Sequence, residues 1–369
     1  MNVMEIVSGV DVNGAIMHAL LLTKEMARSG HQVVMVCRKG SWIGRELSGT
    51  KNVTVHECNL NRWPLAELNE AAGIIRSRHI EVIHSHMTRA HNFGVFLSRL
   101  THVPCVATAQ SHKIHPHWQF ASHVIAVSGV TRRYHQTHNL IPSRKMDMVY
   151  NFVDKSRFDV PAVTRDEVRA ELNIGPNQHL LGVISDFLPR KGQLYLVRAL
   201  PEILMAAPET IVAFAGHVRK NDYYERVRSE AERLGVMKHI IWLGYRSDVP
   251  RLLSALDIYV LPSLDEMFPV AVLEAMAAGC ACVASAVGGT PECNAEPGSL
   301  ILVPPADPTA LGAAIISMLG DDERRSEFQA AARSTVEKHF TVEKLTPVIL
   351  DVLARVAGTK RRSQPRGSA

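Results

Sequence analysis

Short runs of β-branched residues alternate with longer amphipathic segments along almost the whole chain, and this alternation constrains the fold most strongly. Six such runs lie in the first half and six in the second, and stretches of helical length separate them. Strands that alternate with helices predict βαβ units around parallel sheets. At about 100 to 200 residues per domain, a chain of 369 residues has room for two of them. The sequence therefore predicts an α/β protein with two Rossmann-like, doubly wound domains that face a cleft.

The domain boundaries follow from local composition. Residues 154–164, with Pro161 and mixed polar side chains, are typical of a linker, so we expect one domain at residues 1–163 and another at 164–340. Residues 341–357 predict a final helix, which we expect to pack back on the first domain. The polar and basic residues 358–369 are expected to be disordered.

Composition excludes several classes of protein. Hydrophobic residues make up 46% of the chain and charged residues 21%, as in ordinary globular proteins. No apolar run reaches the ~18 residues of a membrane-spanning helix, and the first residues lack the features of an export signal. The 6 cysteines give no disulfide framework, which fits a reducing compartment. We therefore expect a cytoplasmic protein.

Charge is unevenly distributed between the two halves. Residues 1–165 contain 19 basic and 11 acidic side chains, a net charge of +8, whereas the remainder carries −3. A basic first domain favours an anionic partner, such as a phosphorylated acceptor or the inner face of the plasma membrane, with solvated surface charge as the alternative. The basic residues are not clustered and no base-stacking motif accompanies them, which argues against nucleic acid.

Two stretches that follow predicted strands suit an anion. Val7–Gly14 opens a helix, and Gly9 and Gly14 permit a tight turn whose N–H groups could hold an anion, although taken alone this stretch is better explained as a plain strand-to-helix turn. The stretch is not G-x-G-x-x-G, and no acidic residue follows to hold a ribose, so a dehydrogenase is disfavoured. Arg190 and Lys191 lie at the mouth of another predicted helix, where they suit a diphosphate or form a solvated basic turn.

The most informative stretch is Leu261–Gly279. Pro269 fits the first turn of a helix and Gly279 its end. Glu266 then lies in the loop before the helix, and Glu274 lies inside an otherwise apolar helix. Burying such a carboxylate is costly unless it has partners, and paired sugar hydroxyls are natural ones. A solvent-facing glutamate is the alternative.

Glu266 and Glu274, with seven residues between them, resemble the E-x7-E signature of the family 4 glycosyltransferases, which are retaining enzymes of the GT-B fold. The likeness covers nearly the whole chain, because shorter motifs of the family follow in the same order: Asn13-Gly14, Ser29–Val33, Val82–His86, Val127-Ser128, Tyr150–Asp154 and Arg190–Gly192.

The resemblance implies a role for each matching residue. Lys191, with help from Arg190, would neutralise the donor's pyrophosphate. Glu274 would accept hydrogen bonds from the ribose hydroxyls, and Glu266 would contact the donor sugar near the reacting carbon. Because negative charge develops on the departing diphosphate, fixed N–H dipoles and these cations would stabilise it without a metal.

Further contacts with the donor are implied for residues of both domains. Backbone N–H groups of Met267, Phe268 and the neighbours of Pro269 would hold phosphate oxygens. The side chains of Tyr245 and Arg246 would lie at the nucleobase, and Gly14 would lie near the phosphate.

Two positions depart from the family pattern. Gln110 stands where the family has a histidine, with His112 two residues later. One alternative is that Gln110 orients the donor sugar while the leaving phosphate takes the acceptor proton. Another is that His112 takes the place of the family's histidine, and a third is that the enzyme has lost its activity. Asp186 stands where an arginine would grip the diphosphate, and Arg190 is the candidate that compensates.

Histidines suggest a metal site as an alternative. The i, i+2 pair His84 and His86 would point to one face of a strand, and His91, His112, His115 and His117 follow. Since no acidic partner or Cys-x-x-Cys motif lies nearby in sequence, we expect no metal site.

The sequence thus predicts a retaining glycosyltransferase that uses a nucleoside-diphosphate sugar, UDP before GDP, and no cofactor. The acceptor would be a saccharide or a lipid-linked molecule, in the synthesis of cell-envelope polysaccharide or lipopolysaccharide. An epimerase or hydrolase on the same fold, an inactive GT-B binding partner and a histidine-rich metal-binding protein are the alternatives.

Overall fold

The chain forms two compact units in a computed structural model that describes residues 1–60 and 65–363. The first unit comprises Met1–Phe152 together with the segment that begins at Val342, and the second comprises Val153–Thr341. The division therefore comes earlier than the predicted boundary at residue 163. The reason is that the predicted linker packs into the second unit: Val153 bridges to Thr341, and the side chain of Phe158 is buried.

Each unit contains one parallel sheet. The strands of the first unit are β1 (Asn2–Val7), β2 (Gln32–Arg38), β3 (Val53–Cys58), β4 (Val82–His86), β5 (Cys105–Ala109), β6 (His123–Ala126) and β7 (Met146–Met148). Those of the second unit are β8 (His179–Ile184), β9 (Thr210–Ala215), β10 (Ile240–Gly244), β11 (Ile258–Leu261), β12 (Ala281–Ser285) and β13 (Ile301–Val303). The orders are 3-2-1-4-5-6-7 and 10-9-8-11-12-13, so each sheet grows outward in two directions from a central pair, as doubly wound sheets do.

Helices follow most strands. In chain order they are α1 (Gly14–Arg28), α2 (Trp42–Leu47), α3 (Leu65–Ser77), α4 (Thr88–Thr101), α5 (His117–Phe120), α6 (Gly129–His138), α7 (Val163–Glu171), α8 (Gln193–Ala206), α9 (Asn221–Arg233), α10 (Val249–Ala255), α11 (Val270–Ala278), α12 (Pro308–Leu319), α13 (Asp322–His339) and α14 (Val342–Ser363). α14 belongs to the first unit, where Ile349 and Leu353 pack with Leu22 and Met26 of α1.

Both faces of the first sheet are covered. Val3 packs in one hydrophobic cluster and its neighbour Met4 in another, because successive side chains of a strand point to opposite faces. Strands β4 and β5 are buried along their whole length. The small and mostly apolar sequence of β5 is typical of such a strand, whereas β4 carries the buried polar side chains of His84, Ser85 and His86.

Two sequence predictions about elements need correction. The first half contains a seventh strand, β3, which lies at the edge of the sheet, consists mostly of exposed and partly buried residues, and so lacks the apolar run that marks the others. The predicted disordered tail begins too early, because α14 continues through Gly358 to Ser363. The rest of that prediction, residues 364–369, lies outside the described residues.

Candidate functional site

Glu266 is buried beyond the carboxyl end of β11 and is paired with a lysine. Its carboxylate Oε1 accepts hydrogen bonds from the Ser263 hydroxyl at 2.8 Å and from Lys191 Nζ at 2.5 Å. The guanidinium of Arg190 lies 3.8 Å from the other oxygen, Oε2. Lys191 and Arg190 come from the 3-10 turn Pro189–Lys191, between β8 and α8. The structure thus brings three of the predicted site residues together.

Two glycines let backbone segments meet around this group. Gly192 has a left-handed φ of 67°, and a Cβ there would lie 1.8 Å from the carbonyl oxygen of Pro262. Gly288 has a φ of 52°, and a Cβ there would lie 1.6 Å from the carbonyl oxygen of Glu266. Only glycine fits at either position, so Lys191 and Glu266 are held by close backbone contacts.

Glu274 lies in the second turn of α11, which ends at Gly279 in the left-handed conformation that the sequence predicted. Within residues 1–60 and 65–363, its carboxyl group makes no hydrogen bond or ion pair. Burial raises the pKa of Glu274 to about 7, and the charge of Arg157 opposes this rise. A carboxyl group that has no hydrogen-bond partner among the described residues can accept hydrogen bonds from a ligand.

The charges of both glutamates act on the buried side chain of Tyr259. Its ring is buried on β11, and burial raises the pKa of its hydroxyl well above the usual value. The negative charges of Glu266 and Glu274 add to this rise, so both carboxyl groups act on the same phenol.

The residues between the glutamates lead into α11. The helix begins at Val270, so Pro269 precedes its first turn and does not belong to it. Phe268 is buried and packs against Phe340 with ring centroids 5.6 Å apart. The first turn of α11 contains no acidic residue, so no side chain of that turn neutralises the positive end of the helix dipole.

Tyr245 and Arg246 follow β10 and have different surroundings. The Tyr245 side chain is half exposed, and its ring stacks on His217 with centroids 4.2 Å apart and planes 13° apart. Arg246 forms ion pairs with Asp248 at 2.7 Å and with Glu171 at 2.5 Å, which raise the pKa of its guanidinium. Tyr245 is thus placed to meet a planar ligand, whereas the charge of Arg246 is already balanced by two carboxylates.

Sequence reasoning did not single out His217 and Arg219, which follow β9 at the same edge of the sheet. The Asp186 carboxylate accepts a hydrogen bond from the His217 backbone N–H at 3.2 Å and from Arg219 Nε at 3.1 Å. Their position directly after the carboxyl end of a parallel strand was the signal that could have identified them.

Gly14, Gln110 and His112 belong to the first unit. Gly14 is exposed at the start of α1, where the side chain of Asn13 caps the N–H groups of Ala15 and Ile16 at 3.0 and 3.2 Å. The Asn-Gly pair is thus explained by the role of the Asn13 side chain as the N-terminal cap of α1.

Gln110 and His112 have separate partners in the first unit. Gln110 Nε2 donates to Asn151 Oδ1 at 3.4 Å, while its Oε1 is buried without a partner among the described residues. His112 stacks on Tyr134 of α6 at 4.5 Å and lies 3.3 Å from the Thr131 hydroxyl. Gln110 therefore offers a buried acceptor, whereas His112 is held against α6.

The expectation that His84 and His86 lack an acidic partner was wrong. Glu5 on β1 lies beside them, and its two oxygens bond His84 Nδ1 at 2.9 Å and His86 Nε2 at 2.8 Å. All three side chains are fully buried, and His84 Nε2 also bonds the Thr108 hydroxyl at 2.7 Å. Burial opposes ionisation of Glu5, but the two histidines lower its pKa to about 2. Three groups of metal-ligating type therefore meet within 4.8 Å, already joined by hydrogen bonds.

Among the described helices, none combines the length and the apolar character needed to cross a bilayer. Fold and site together define a class: proteins with two parallel α/β sheets, in which a lysine pairs with a buried glutamate beyond the strand ends of the second sheet.

Comparison with known proteins narrows this class to one family. The family model described as Glycosyl transferases group 1 matches residues 164–335, and the model described as Glycosyltransferase Family 4 matches residues 12–157. An uncharacterised glycosyltransferase of Methanocaldococcus jannaschii is 24% identical over 92% of this chain and 94% of its own length. The phosphatidyl-myo-inositol mannosyltransferase of Mycolicibacterium smegmatis is 25% identical over 97% of this chain and 95% of its own.

Solved structures agree with the family models on the fold. Anabaena HepE, crystallised with UDP-glucose, superposes with a TM-score of 0.83 and 21% identity, covering 96% of this chain and 100% of that one. The chain belongs to the family 4 glycosyltransferases and has their GT-B fold of two parallel-sheet α/β units. The predicted fold class and the prediction of a glycosyltransferase enzyme are confirmed.

Proposed function

We propose that this glycosyltransferase moves a sugar, with retention of anomeric configuration, from a UDP-sugar to a saccharide or lipid-linked acceptor. A GDP-sugar is the second choice of donor. The observation that carries the proposal is the pairing of Lys191 with Glu266, with Arg190 beside them, in the segments that precede α8 and α11. The positive charges of Lys191 and Arg190 and the positive end of the helix dipole of α11 can together stabilise the negative charge of a departing diphosphate.

The reaction breaks the bond between the anomeric carbon and the diphosphate oxygen, and the electron pair leaves with the diphosphate. Lys191 and Arg190 stabilise that charge, so no metal is needed. Glu266 orients the sugar hydroxyls, and Glu274 accepts hydrogen bonds from the ribose. The acceptor hydroxyl attacks from the face that the diphosphate leaves, and its proton passes to the leaving phosphate. Gln110 orients the donor sugar and takes no proton.

Two comparisons support a nucleotide-sugar donor and an acceptor of this kind. Anabaena HepE was crystallised with UDP-glucose, and the relative from Mycolicibacterium smegmatis is named for mannosyl transfer to phosphatidyl-myo-inositol. A lipid-linked acceptor agrees with the net charge of +8 on residues 1–165. We propose a role in the synthesis of cell-envelope polysaccharide or lipopolysaccharide on this ground.

Thermal unfolding with a panel of nucleoside diphosphates and their sugars tests the donor class. Ligand that binds only the folded protein stabilises it by about 3 kcal/mol at a hundredfold excess over Kd. UDP and UDP-glucose should raise the Tm, and EDTA should leave the shift unchanged. No shift with any nucleotide would contradict the proposal. Rapid donor consumption without acceptor would favour an epimerase or hydrolase, and nucleotide binding without turnover would favour an inactive binding partner.

Donor affinity should depend on the ionisation of Glu274. Its pKa is raised to about 7, and only the carboxylate accepts both ribose hydroxyl protons. The Kd for UDP-glucose should therefore fall about tenfold between pH 6 and pH 8, as measured by isothermal titration calorimetry. UDP-glucose is the suitable probe because its diphosphate does not titrate in this range.

The matched variant for this measurement is Glu274→Gln, whose affinity should be weak and independent of pH. A raised pKa means that the folded protein disfavours the ionised group, so stability is lost as the pH rises through 7. Glu274→Gln should therefore raise the Tm of the ligand-free protein at pH 8 but not at pH 5. An equally steep affinity profile in the variant would show that another group titrates.

We also propose contact between the first unit and an anionic membrane. Phe96 and Leu100 are exposed one turn apart on α4, and Phe120 is exposed under the guanidinium of Arg99, 5.0 Å from its ring centroid. Apolar side chains beside cations suit a lipid surface. The protein should float with vesicles containing phosphatidylglycerol but not with pure phosphatidylcholine, and F96S/L100S should reduce recovery. Equal recovery with both vesicles would contradict the contact.

A further inference from the structure

The helix α8 begins just after Lys191, and a residue of another helix caps its N-terminus. Gly192 occupies the capping position with a left-handed φ of 67° and has no side chain that could accept the first N–H groups of the helix. The hydroxyl oxygen of Tyr223, on α9, accepts a hydrogen bond from the Leu194 N–H at 3.3 Å instead. Tyr223 is only 4% exposed, so this cap lies inside the second unit.

The 3-10 turn before α8 is also fixed on its other sides. The N–H of Leu264, in the loop after β11, donates to the carbonyl oxygen of Arg190 at 2.7 Å. Gln193, the first residue of α8, is fully buried and donates from Nε2 to the Ser185 hydroxyl and to the Asp186 carbonyl oxygen, both at 3.1 Å. The cap from α9 therefore completes a set of hydrogen bonds that surrounds this turn.

A tyrosine hydroxyl caps the helix without adding a charge. Burial raises the pKa of Tyr223, and the backbone N–H groups of Leu194 and Gln193 only partly oppose this rise, so the phenol is neutral at pH 7. The first turn of α8, residues 193–196, carries no charged side chain either. An aspartate, which is a common helix cap, would place a negative charge close to Lys191 and repel a diphosphate there. The neutral cap satisfies the N–H group without this repulsion.

We propose that Tyr223 is a positioning residue of this glycosyltransferase, which holds Lys191 in place by capping α8. Only two residues separate Lys191 from Leu194, so the bond to Tyr223 fixes the backbone next to the lysine. Tyr223 acts through Lys191, whose Nζ lies 2.5 Å from Glu266 Oε1. A displacement of about 1 Å at such a group costs up to about a hundredfold in rate. This inference rests on the proposed function, because it concerns the cation that stabilises the departing diphosphate.

Initial rates of UDP-glucose hydrolysis by Tyr223→Phe test the inference. The substitution removes one oxygen atom and keeps the ring, so the Leu194 N–H loses its acceptor while the packing of the core is retained. We expect kcat to fall about tenfold and KM to change less than about twofold. The matched control is Tyr224→Phe, the same change at the next residue of α9, whose ring packs on Trp242 at 5.3 Å and on Phe187 at 4.9 Å. It should keep the wild-type rate.

A double-mutant cycle separates positioning from a general loss of stability. If Tyr223 acts through Lys191, Tyr223→Phe should lower kcat about tenfold in the wild type but less than about twofold in the Lys191→Ala background. An equal loss in both backgrounds, a wild-type kcat in Tyr223→Phe, or the loss of its cooperative thermal transition would overturn the inference and leave the proposed function standing. A wild type that does not turn over UDP-glucose, or a Lys191→Ala enzyme with the wild-type rate, would overturn both.

Discussion

Lys191→Ala should lower kcat/KM for sugar transfer by about 10² to 10³, the loss that follows removal of one fixed donor at a developing charge. Lys191 Nζ lies 2.5 Å from Glu266 Oε1, at the turn whose glycine packs on the carbonyl of Pro262. The ammonium is therefore preorganised where the diphosphate gains charge. Since that charge is largest in the transition state, kcat should fall more than KM rises.

Two variants make the measurement specific to Lys191. Lys191→Arg keeps the charge but changes its geometry, so it should retain part of the activity. Lys238→Ala removes an exposed lysine of the same unit and should behave as the wild type. Initial rates with UDP-glucose as donor, in hydrolysis and in transfer, give the comparison. A Lys191→Ala enzyme with more than a third of the wild-type kcat/KM would show that the diphosphate binds elsewhere.

Glu5→Ala should destabilise the first unit by about 3 kcal/mol or more, because it leaves two buried histidines without their common partner. Glu5, His84 and His86 are all fully buried, and their bonds are 2.8 to 2.9 Å long. The lowered pKa of Glu5, about 2, means that the carboxylate stabilises the fold above pH 4.5 and loses this effect as the pH falls toward 2. The destabilisation should therefore be full at neutral pH and shrink in acid.

Urea unfolding followed by tryptophan fluorescence measures this effect. In a Trp242→Phe background the remaining tryptophans, at positions 42, 63 and 118, all belong to the sequence of the first unit. Glu46→Ala removes an exposed glutamate of the same unit and serves as the control. A loss below 1 kcal/mol would contradict the hydrogen-bonded cluster. A stoichiometric metal in the wild type that Glu5→Ala lacks would identify the cluster as a metal centre.

Sequence alone predicted those features that depend on neighbouring residues. The alternation of strands with helices and the glycine that ends α11 were predicted correctly, because apolar runs and turn residues act over a few positions. The motif that holds Glu266 and Glu274 is local in the same sense. Order and spacing of such motifs were enough to predict the fold and the enzyme class.

Tertiary structure decided the features that join distant parts of the chain. Glu5 meets His84 across 79 residues, and Asp186 meets Arg219 across 33. Val153 bridges to Thr341, which moves the domain boundary, and β3 is a strand because β2 pairs with it at the sheet edge. The physical reason is common to all four: the order and register of parallel strands determine which distant side chains meet, and no local pattern in the sequence encodes them.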